Sequence, residues 1–287
     1  MTPPLSLDLG LHGTHVLITG GAGLIGSVVV DHCIAAGARV SSLDISYGPG
    51  SATDQTAYAA IYCNVSSEAS VKEAFETAVK AHGPVEVCIA LASLDLSTLQ
   101  HSAFVDASFD QLMRVLSINI AGTWLCAREW LRGLHQAKQD YVELKNVNLI
   151  IIGSESGHFG ERQAVDYSLA KSAVQGGMLM SLRAEAVRVW PGARVNAVAP
   201  GAVDTERWTK ECAENPEQYW EEAQATTALG EPIPRAAVAK AILFLSSHNF
   251  SSHISGQVIN VDGGKQGKVM WTKEEAGQRL SVPSITS

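Results

Sequence analysis

The sequence predicts one doubly wound α/β domain, in which a mostly parallel sheet carries helices on both of its faces. Short apolar runs alternate with amphipathic stretches along the chain, and the first apolar run is followed at once by a glycine-rich turn. Continuous apolar runs are typical of parallel strands that are buried on both sides. With 287 residues, 46% of them hydrophobic, the chain can bury one large core without needing a second domain. Strands that alternate with helices then predict the layered architecture.

The first strand is predicted at 15–19. The turn TGGAGLIG at 19–26 follows it and leads into a predicted helix at 24–36. Glycines allow the backbone to approach a pyrophosphate closely, and the free N–H groups at a helix start carry the positive end of the helix dipole. A second strand at 39–43 follows and leads into Asp44, which is the context that a dinucleotide cradle requires. We therefore predict a cofactor site at this turn.

Asp44 also bears on which cofactor binds. A carboxylate at the end of the second strand can accept hydrogen bonds from a ribose hydroxyl, and it repels a 2′-phosphate. Neither 21–24 nor 45–47 supplies an Arg or Lys that could pair with such a phosphate. These observations favour NAD over NADP. The alternative is that Asp44 only caps the next turn.

The remaining elements complete the alternating pattern. Two long helices are expected, at 108–137 with Asn119, Trp124 and Trp130, and at 164–189, where a Trp-Pro-Gly run ends the helix. We expect both tryptophans to pack against the sheet or a neighbouring subunit. The other predicted strands lie at 57–63, 85–89, 147–152, 193–197 and 257–261, and the other predicted helices at 68–81 and 233–246.

The segment 204–229 shows the least regular pattern of the chain. It carries Trp208, Tyr219 and Trp220 among acidic residues. Long ordered loops in compact domains often act as lids, so we predict a lid over the substrate. An amphipathic surface helix with its aromatic residues in a core is the alternative. Residues 1–12 are expected to form an N-terminal extension, 13–264 the domain, and 265–287 a polar C-terminal tail.

Three side chains in the second half of the chain suggest acid–base chemistry. Tyr167 and Lys171 lie one turn apart on one face of the predicted helix, and Ser154 closely follows a buried strand. A neighbouring cation favours the phenolate, so Lys171 could lower the pKa of Tyr167 and allow proton exchange with a substrate oxygen near neutral pH. The hydroxyl of Ser154 could hold that oxygen. Ligands gather at the carboxyl ends of parallel strands, where this serine lies.

These residues resemble the short-chain dehydrogenase/reductase family, in its shorter, single-domain branch, from about residue 13 to 264. Four separate motifs carry the resemblance: the cofactor turn at 19–26, the catalytic set Ser154, Tyr167 and Lys171, the turn Pro200-Gly201, and the terminal signature VDGG at 261–264. Asn119, in the run SINIAG, resembles the family's fourth catalytic residue.

The resemblance implies a Rossmann-fold enzyme that interconverts a secondary alcohol and a ketone with a nicotinamide cofactor. In this reading Ser154 binds the substrate oxygen, Tyr167 exchanges its proton, Lys171 tunes the phenol and reaches the nicotinamide ribose, and Asn119 holds a water that returns protons from solvent. The cofactor contacts that it implies are Gly20, Gly23, Leu24, Ile25, Asp44, Asn64, Val65, Ala92, Tyr167, Lys171, Val203 and Thr205. Assembly into a homodimer or homotetramer through the two long helices is implied as well.

Three departures from the family pattern stand out. The spacing of Gly20, Gly23 and Gly26 is that of the family's longer, sugar-nucleotide-using branch, with Leu24 where the shorter branch usually has glycine. Asn64 stands where the family usually has Asp beside the adenine ring, and a turn-forming Asn is the alternative there. The run Ala-Leu-Ala-Ser at 90–93 replaces Asn-Asn-Ala-Gly and keeps only Ala92, so the hydrogen bonds usual in that segment need replacements.

Composition narrows the range of partners. A formal charge of −8 argues against nucleic acid and anionic membranes, and no run approaches the ~18 apolar residues of a membrane span. We expect a cytoplasmic protein with a small-molecule substrate, bulkier than a short alcohol if aromatic residues of 204–229 cover it. Five scattered cysteines without metal-ligand spacing predict reduced thiols and no metal site.

Two other functions stay open. The glycine spacing suggests a sugar-nucleotide epimerase or dehydratase, although the VDGG signature and the modest length oppose it. The altered run at 90–93 suggests a dinucleotide-binding sensor or scaffold without catalysis, although the complete catalytic set opposes that reading.

Overall fold

A computed structural model describes residues 7–48 and 52–279, and its mostly parallel sheet confirms the predicted fold class. The strands are β1 (His15–Thr19), β2 (Arg39–Asp44), β3 (Ala52–Gln55), β4 (Tyr58–Tyr62), β5 (Val87–Ala90), β6 (Asn148–Ile152), β7 (Arg194–Pro200), β8 (Val203–Asp204), β9 (Ile233–Pro234) and β10 (Val258–Val261). Within the described residues, eight of them form one sheet in the order β10-β7-β6-β5-β1-β2-β4-β3. The strand order reverses beside β1, which is where open α/β sheets bind ligands.

Helices connect the strands and cover the sheet. They are α1 (Gly26–Ala35), α2 (Glu68–His82), α3 (Phe109–Val115), α4 (Thr123–Gln139), α5 (Ser156–Phe159), α6 (Val165–Ala173), α7 (Leu179–Val189), α8 (Glu206–Glu214), α9 (Pro216–Tyr219), α10 (Arg235–Ser246), α11 (His248–Ser251) and α12 (Lys273–Arg279). Their apolar faces divide into two cores. Residues of α2, α4 and α7 pack on one face of the sheet, and residues of α1 and α10 pack on the other.

The strands feed both cores because successive side chains of a strand point to opposite faces. In β1, Leu17 belongs to the core under α2 and α4, while Val16 and Ile18 belong to the core under α1 and α10. All five residues of β1 and all five of β6 are buried, as the apolar runs predict.

The two predicted long helices each contain a π-helical segment. Leu116–Gly122 lies between α3 and α4, and Val174–Met178 lies between α6 and α7. Trp130 of the first long helix is buried against the sheet as predicted, and its indole N–H donates to the carbonyl of Glu86 at 3.2 Å. Trp124 is half exposed and carries the guanidinium of Arg128 over its ring at 5.0 Å.

Several boundaries differ from the predictions for physical reasons. The first helix begins at Gly26 because the glycine turn before it is not helical. The strand β3 was not predicted; it pairs antiparallel with β4 at the sheet edge. The segment predicted as irregular is largely helical, with α8, α9 and a π segment at Trp220–Ala225, and α12 lies in the predicted polar tail. The part of that tail at 280–287, like residues 1–6 of the extension, lies outside the described residues.

The described part of the N-terminal extension packs on the domain. Leu11 is fully buried in the core under α1 and α10, and the Asn146 side chain donates to the carbonyl of Gly10 at 2.9 Å. All five cysteines are free and buried. None of the helices within 7–48 and 52–279 is both long and apolar enough to cross a membrane.

Candidate active site

The predicted catalytic residues meet at the carboxyl edge of the sheet. Ser154 follows β6 by two residues, Tyr167 and Lys171 lie on α6, and all three are buried. The Lys171 ammonium lies 5.6 Å from the centroid of the Tyr167 ring, and a hydrogen bond joins the Tyr167 phenol to Ser154. Lys171 also donates to the carbonyl of Ile152 at 3.0 Å, which fixes it to the end of β6. A proton donor, a substrate-oxygen ligand and a cation are thus in one place.

Burial changes the acid–base properties of both helix residues. It raises the pKa of Tyr167, and Asp95 adds to this by Coulomb repulsion of the phenolate, while the Ser154 hydrogen bond acts in the opposite direction. The burial penalty on the phenolate is the largest of these effects, and the role of Lys171 in lowering this pKa stays a prediction. Burial also lowers the pKa of Lys171 to about 8, which leaves it mainly protonated at pH 7.

Asn119 is buried in the first π segment and uses its side chain to hold the loop after β5. Its amide oxygen accepts from the Leu94 N–H at 2.7 Å, and its amide nitrogen donates to the Leu94 carbonyl at 3.2 Å. Its own backbone carbonyl accepts from the Thr123 hydroxyl at 2.8 Å. In this structure Asn119 positions the loop that carries Asp95, and the proton relay stays a prediction.

The glycine turn fits a dinucleotide phosphate because its close approaches leave no room for side chains. Gly20 has φ of +72°, and a Cβ there would lie 2.9 Å from the Cα of Ala92. A Cβ on Gly26 would overlap the carbonyl oxygen of Gly20. No side chain caps the start of α1 and no acid lies in its first turn, so its positive end is open to an anion. Leu24 and Ile25 complete the turn.

Asp44 supports the glycine turn in addition to ending β2. One carboxylate oxygen accepts from the Ala22 N–H at 3.1 Å, and the other accepts from the Ser46 N–H at 2.9 Å. The predicted turn cap is therefore present. The carboxylate lies beside the glycine turn. Its contact with the cofactor ribose stays a prediction.

The other predicted cofactor residues surround the same edge. The Asn64 side chain accepts from the Ser66 N–H at 3.1 Å, which is the alternative turn role. Val65 is buried and lies against Gly122, where a Cβ would come within 2.9 Å of its methyl group. Neither contact tests a role beside the adenine.

The hydroxyl of Thr19, at the end of β1, holds the backbone of the altered run at 90–93. Its hydroxyl oxygen accepts from the N–H groups of both Leu91 and Ala92, each at 3.1 Å. Val203 packs against the core under α1 and α10, while the Thr205 hydroxyl caps α8 by accepting from the Trp208 N–H at 3.2 Å. The structure thus shows a capping role for Thr205, and the cofactor contacts of Val203 and Thr205 stay predictions.

Two ion pairs at the site were missed by sequence reasoning. Asp95 pairs with Arg207 of α8 at 3.2 Å, which ties the loop after β5 to the predicted lid. Glu155, next to Ser154, pairs with Lys265 at 3.1 Å, and burial raises the pKa of this carboxyl to about 7. Both pairs join residues more than a hundred positions apart, so no local sequence pattern predicts them.

Two of the three aromatic residues of 204–229, Trp208 and Tyr219, belong to a small separate core. Trp208 is buried against Tyr219, with ring centroids 5.5 Å apart, and its indole N–H donates to Glu222 at 2.6 Å. This arrangement is the predicted alternative, an amphipathic helix that buries its aromatic residues. Among the described residues no cluster of His, Cys, Asp and Glu could hold a metal ion.

Comparisons with known proteins agree with this geometry. A family model described as enoyl-(acyl carrier protein) reductase matches residues 21–266. The sorbose reductase sou1 of Schizosaccharomyces pombe is 32% identical over 88% of this chain and 96% of its own. An acetoacetyl-CoA reductase of Synechocystis is 29% identical over 90% of this chain and 98% of its own.

Relatives named for the family and solved structures extend the likeness. The short chain dehydrogenase adrF of Penicillium rubens is 26% identical over 86% of this chain and 94% of its own. A short-chain dehydrogenase/reductase structure from Brucella melitensis superposes with a TM-score of 0.72 at 21% identity, covering 88% of this chain and 97% of its own, which supports the fold. With the catalytic residues and the glycine turn in place, this chain belongs to the short-chain dehydrogenase/reductase family of oxidoreductases.

Proposed function

We propose that the chain is an NAD-linked oxidoreductase that interconverts a secondary alcohol and a ketone. The observation that supports this best is the meeting of Ser154, Tyr167 and Lys171 beside a turn whose close approaches only glycine permits. A bound nicotinamide cofactor would supply the hydride chemistry at the substrate carbon. Gly20, Gly23, Leu24 and Ile25 would hold its diphosphate, and Asp44 its adenosine ribose.

The chain's own residues then handle the substrate oxygen and its proton. In the reducing direction Tyr167 gives its phenolic proton to that oxygen, and Ser154 donates a hydrogen bond to it. The raised pKa of Tyr167 keeps the proton in place until reaction begins. Lys171 contributes a buried positive charge that stabilises the phenolate left behind, and Asn119 holds the loop that closes this side of the site.

The substrate and the assembly are part of the proposal. Acetoacetyl-CoA reductase and sorbose reductase name carbonyl substrates for two relatives, and a small-molecule ketone is proposed for this chain by analogy. The helical segment 204–229 would cover a substrate bulkier than a short ketone. Apolar side chains are exposed on both long helices, which supports a homodimer or homotetramer: Phe109, Met113, Trp124, Leu169, Met180 and Val187. Cytoplasmic location stays a prediction.

Turnover of nicotinamide tests the function. The purified protein is mixed with NADH or NADPH and a panel of ketones, 3-oxoacyl thioesters and ketoses, and absorbance of the reduced nicotinamide is followed. Consumption of NADH with at least one carbonyl compound, faster than with NADPH, is expected. Cofactor binding without turnover of any substrate would favour the sensor reading instead.

A further inference from the structure

Gln175 makes a contact with the catalytic serine that the mechanism above does not use. Its side-chain oxygen accepts from the backbone N–H of Ser154 at 2.8 Å, inside the protein. Gln175 lies four residues after Lys171, in the π segment Val174–Met178, and is buried. The residues Tyr167, Lys171 and Gln175 therefore succeed one another along one side of the long helix.

The contact places Ser154 relative to the helix from two directions. Lys171 donates to the carbonyl of Ile152, and Gln175 accepts from the N–H of Ser154. The two bonds hold the chain on both sides of Gly153, at the point where β6 ends. Because Tyr167 lies on the same helix, these bonds set the distance between its phenol and the Ser154 hydroxyl.

The surrounding backbone is shaped to admit this side chain. A Cβ on Gly153 would overlap the Gln175 side-chain oxygen, and a Cβ on Gly157 would lie 2.6 Å from its amide carbon. Both glycines have ordinary φ angles, so neither is required by its own conformation. Their missing side chains leave the space that Gln175 fills.

Filling this space does not by itself explain why residue 175 has an amide side chain. Its nitrogen is buried and has no hydrogen-bond partner among the described residues. An unpaired buried donor costs stability, and a methionine of similar length would fill the space without it. The orientation cannot be reversed, because the backbone N–H of Ser154 needs an acceptor and only the side-chain oxygen is one. The useful property of Gln175 is thus the acceptor that it offers to Ser154.

We propose that Gln175 is a positioning residue, which holds Ser154 at the distance from Tyr167 that the reaction needs. This inference rests on the proposed function. Gln175 does not touch the reacting atoms. It acts through the backbone of Ser154, and small displacements of a catalytic group can cost up to about a hundredfold in rate.

Two variants of matched length test the proposal. Gln175→Met keeps the volume and removes the acceptor, and Gln175→Glu keeps both the reach and an acceptor. With a ketone that the unmodified protein reduces, we expect Gln175→Met to lower kcat at least about tenfold with KM for the cofactor within about threefold. Gln175→Glu should restore kcat to within about threefold of the unmodified protein. Hydrogen exchange at the Ser154 amide should be faster in Gln175→Met and unchanged in Gln175→Glu.

If Gln175→Met does not fold, Gln175→Asn takes its place. The asparagine side chain is one methylene shorter, so its oxygen cannot reach the Ser154 N–H, and we expect the same loss of kcat. Normal kcat in either of these variants would overturn the positioning role, and so would an equal loss in Gln175→Glu, which keeps the acceptor. Absence of turnover in the unmodified protein would instead overturn the proposed function, and hydrogen exchange would still show whether Gln175 holds Ser154.

Discussion

At the scale of single residues, the phenol of Tyr167 is distinguished by its burial. Burial raises its pKa, and Asp95 adds to the effect, so the proton is held firmly at neutral pH. A firmly held proton suits a donor in the reducing direction. Release in the oxidising direction depends on the Lys171 charge, which burial also weakens by lowering the pKa of that ammonium to about 8. The two groups are thus tuned by the same desolvation.

The charge of Asp44 should control cofactor choice. Its carboxylate lies at the end of β2 and supports the glycine turn through Ala22. Asp44→Ala should narrow the difference between KM for NAD and KM for NADP by removing repulsion of the 2′-phosphate. Asp44→Asn is the matched control, since it keeps an acceptor for the turn and removes only the charge, and it should narrow the gap as well. A better KM for NADP in the unmodified protein would show that this account of Asp44 is wrong.

Glu155 should make stability depend on pH. Its pKa in the folded protein is about 7, against an ordinary 4.5, so the folded state binds the extra proton between these values. The stability it contributes is therefore complete below pH 4.5 and is lost as the pH rises through 7. Glu155→Gln should reduce the fall in melting temperature between pH 5 and pH 8, measured by calorimetry. Lys265→Met is the opposed control, because removing the cation raises the Glu155 pKa further and should steepen the fall. Identical pH profiles for all three proteins would contradict this assignment.

At the scale of elements, the sequence predicted the helices and strands that depend on neighbouring residues better than the features that depend on distant contacts. The strand β1 was predicted to the residue, and the glycine turn was predicted at its place after it, because apolar runs and glycines are visible in the sequence itself. The π segment around Asn119 was not predictable, since it accompanies hydrogen bonds from Asn119 to Leu94, twenty-five positions away. The edge strand β3 has no apolar alternation and exists through its pairing with β4. The partly buried Glu155–Lys265 pair likewise depends on the completed fold.

The lid proposal is tested at Trp208, which organises the small core of 204–229. Trp208→Ala should loosen α8 against Tyr219 and raise KM for bulky ketones more than for small ones. Trp208→Phe is the control, because it keeps most of the packing and loses only the hydrogen bond to Glu222. Steady-state kinetics with two ketones of different size measure the difference. Equal increases for both would mean that the segment contributes only to stability.

At the scale of the whole molecule, the exposed apolar side chains on the two long helices predict self-association. Leu169 is half exposed on α6, close in sequence to the catalytic pair, so an assembly through this surface would also brace the site. Leu169→Glu should shift the sedimentation coefficient toward that of a monomer. Val105→Glu, a change at a more exposed apolar residue outside these helices, should leave it unchanged. Sedimentation of the unmodified protein as a monomer would refute the proposed assembly.

The central claim is that the fold delivers one phenolic proton to the substrate oxygen, and Tyr167→Phe tests it most directly. The change removes one hydroxyl and keeps the ring that packs near Lys171. We expect kcat for ketone reduction to fall at least about a hundredfold, while the dissociation constant of the cofactor, measured by fluorescence titration, changes less than about twofold. A variant that keeps more than about a twentieth of the activity would contradict the role given to Tyr167.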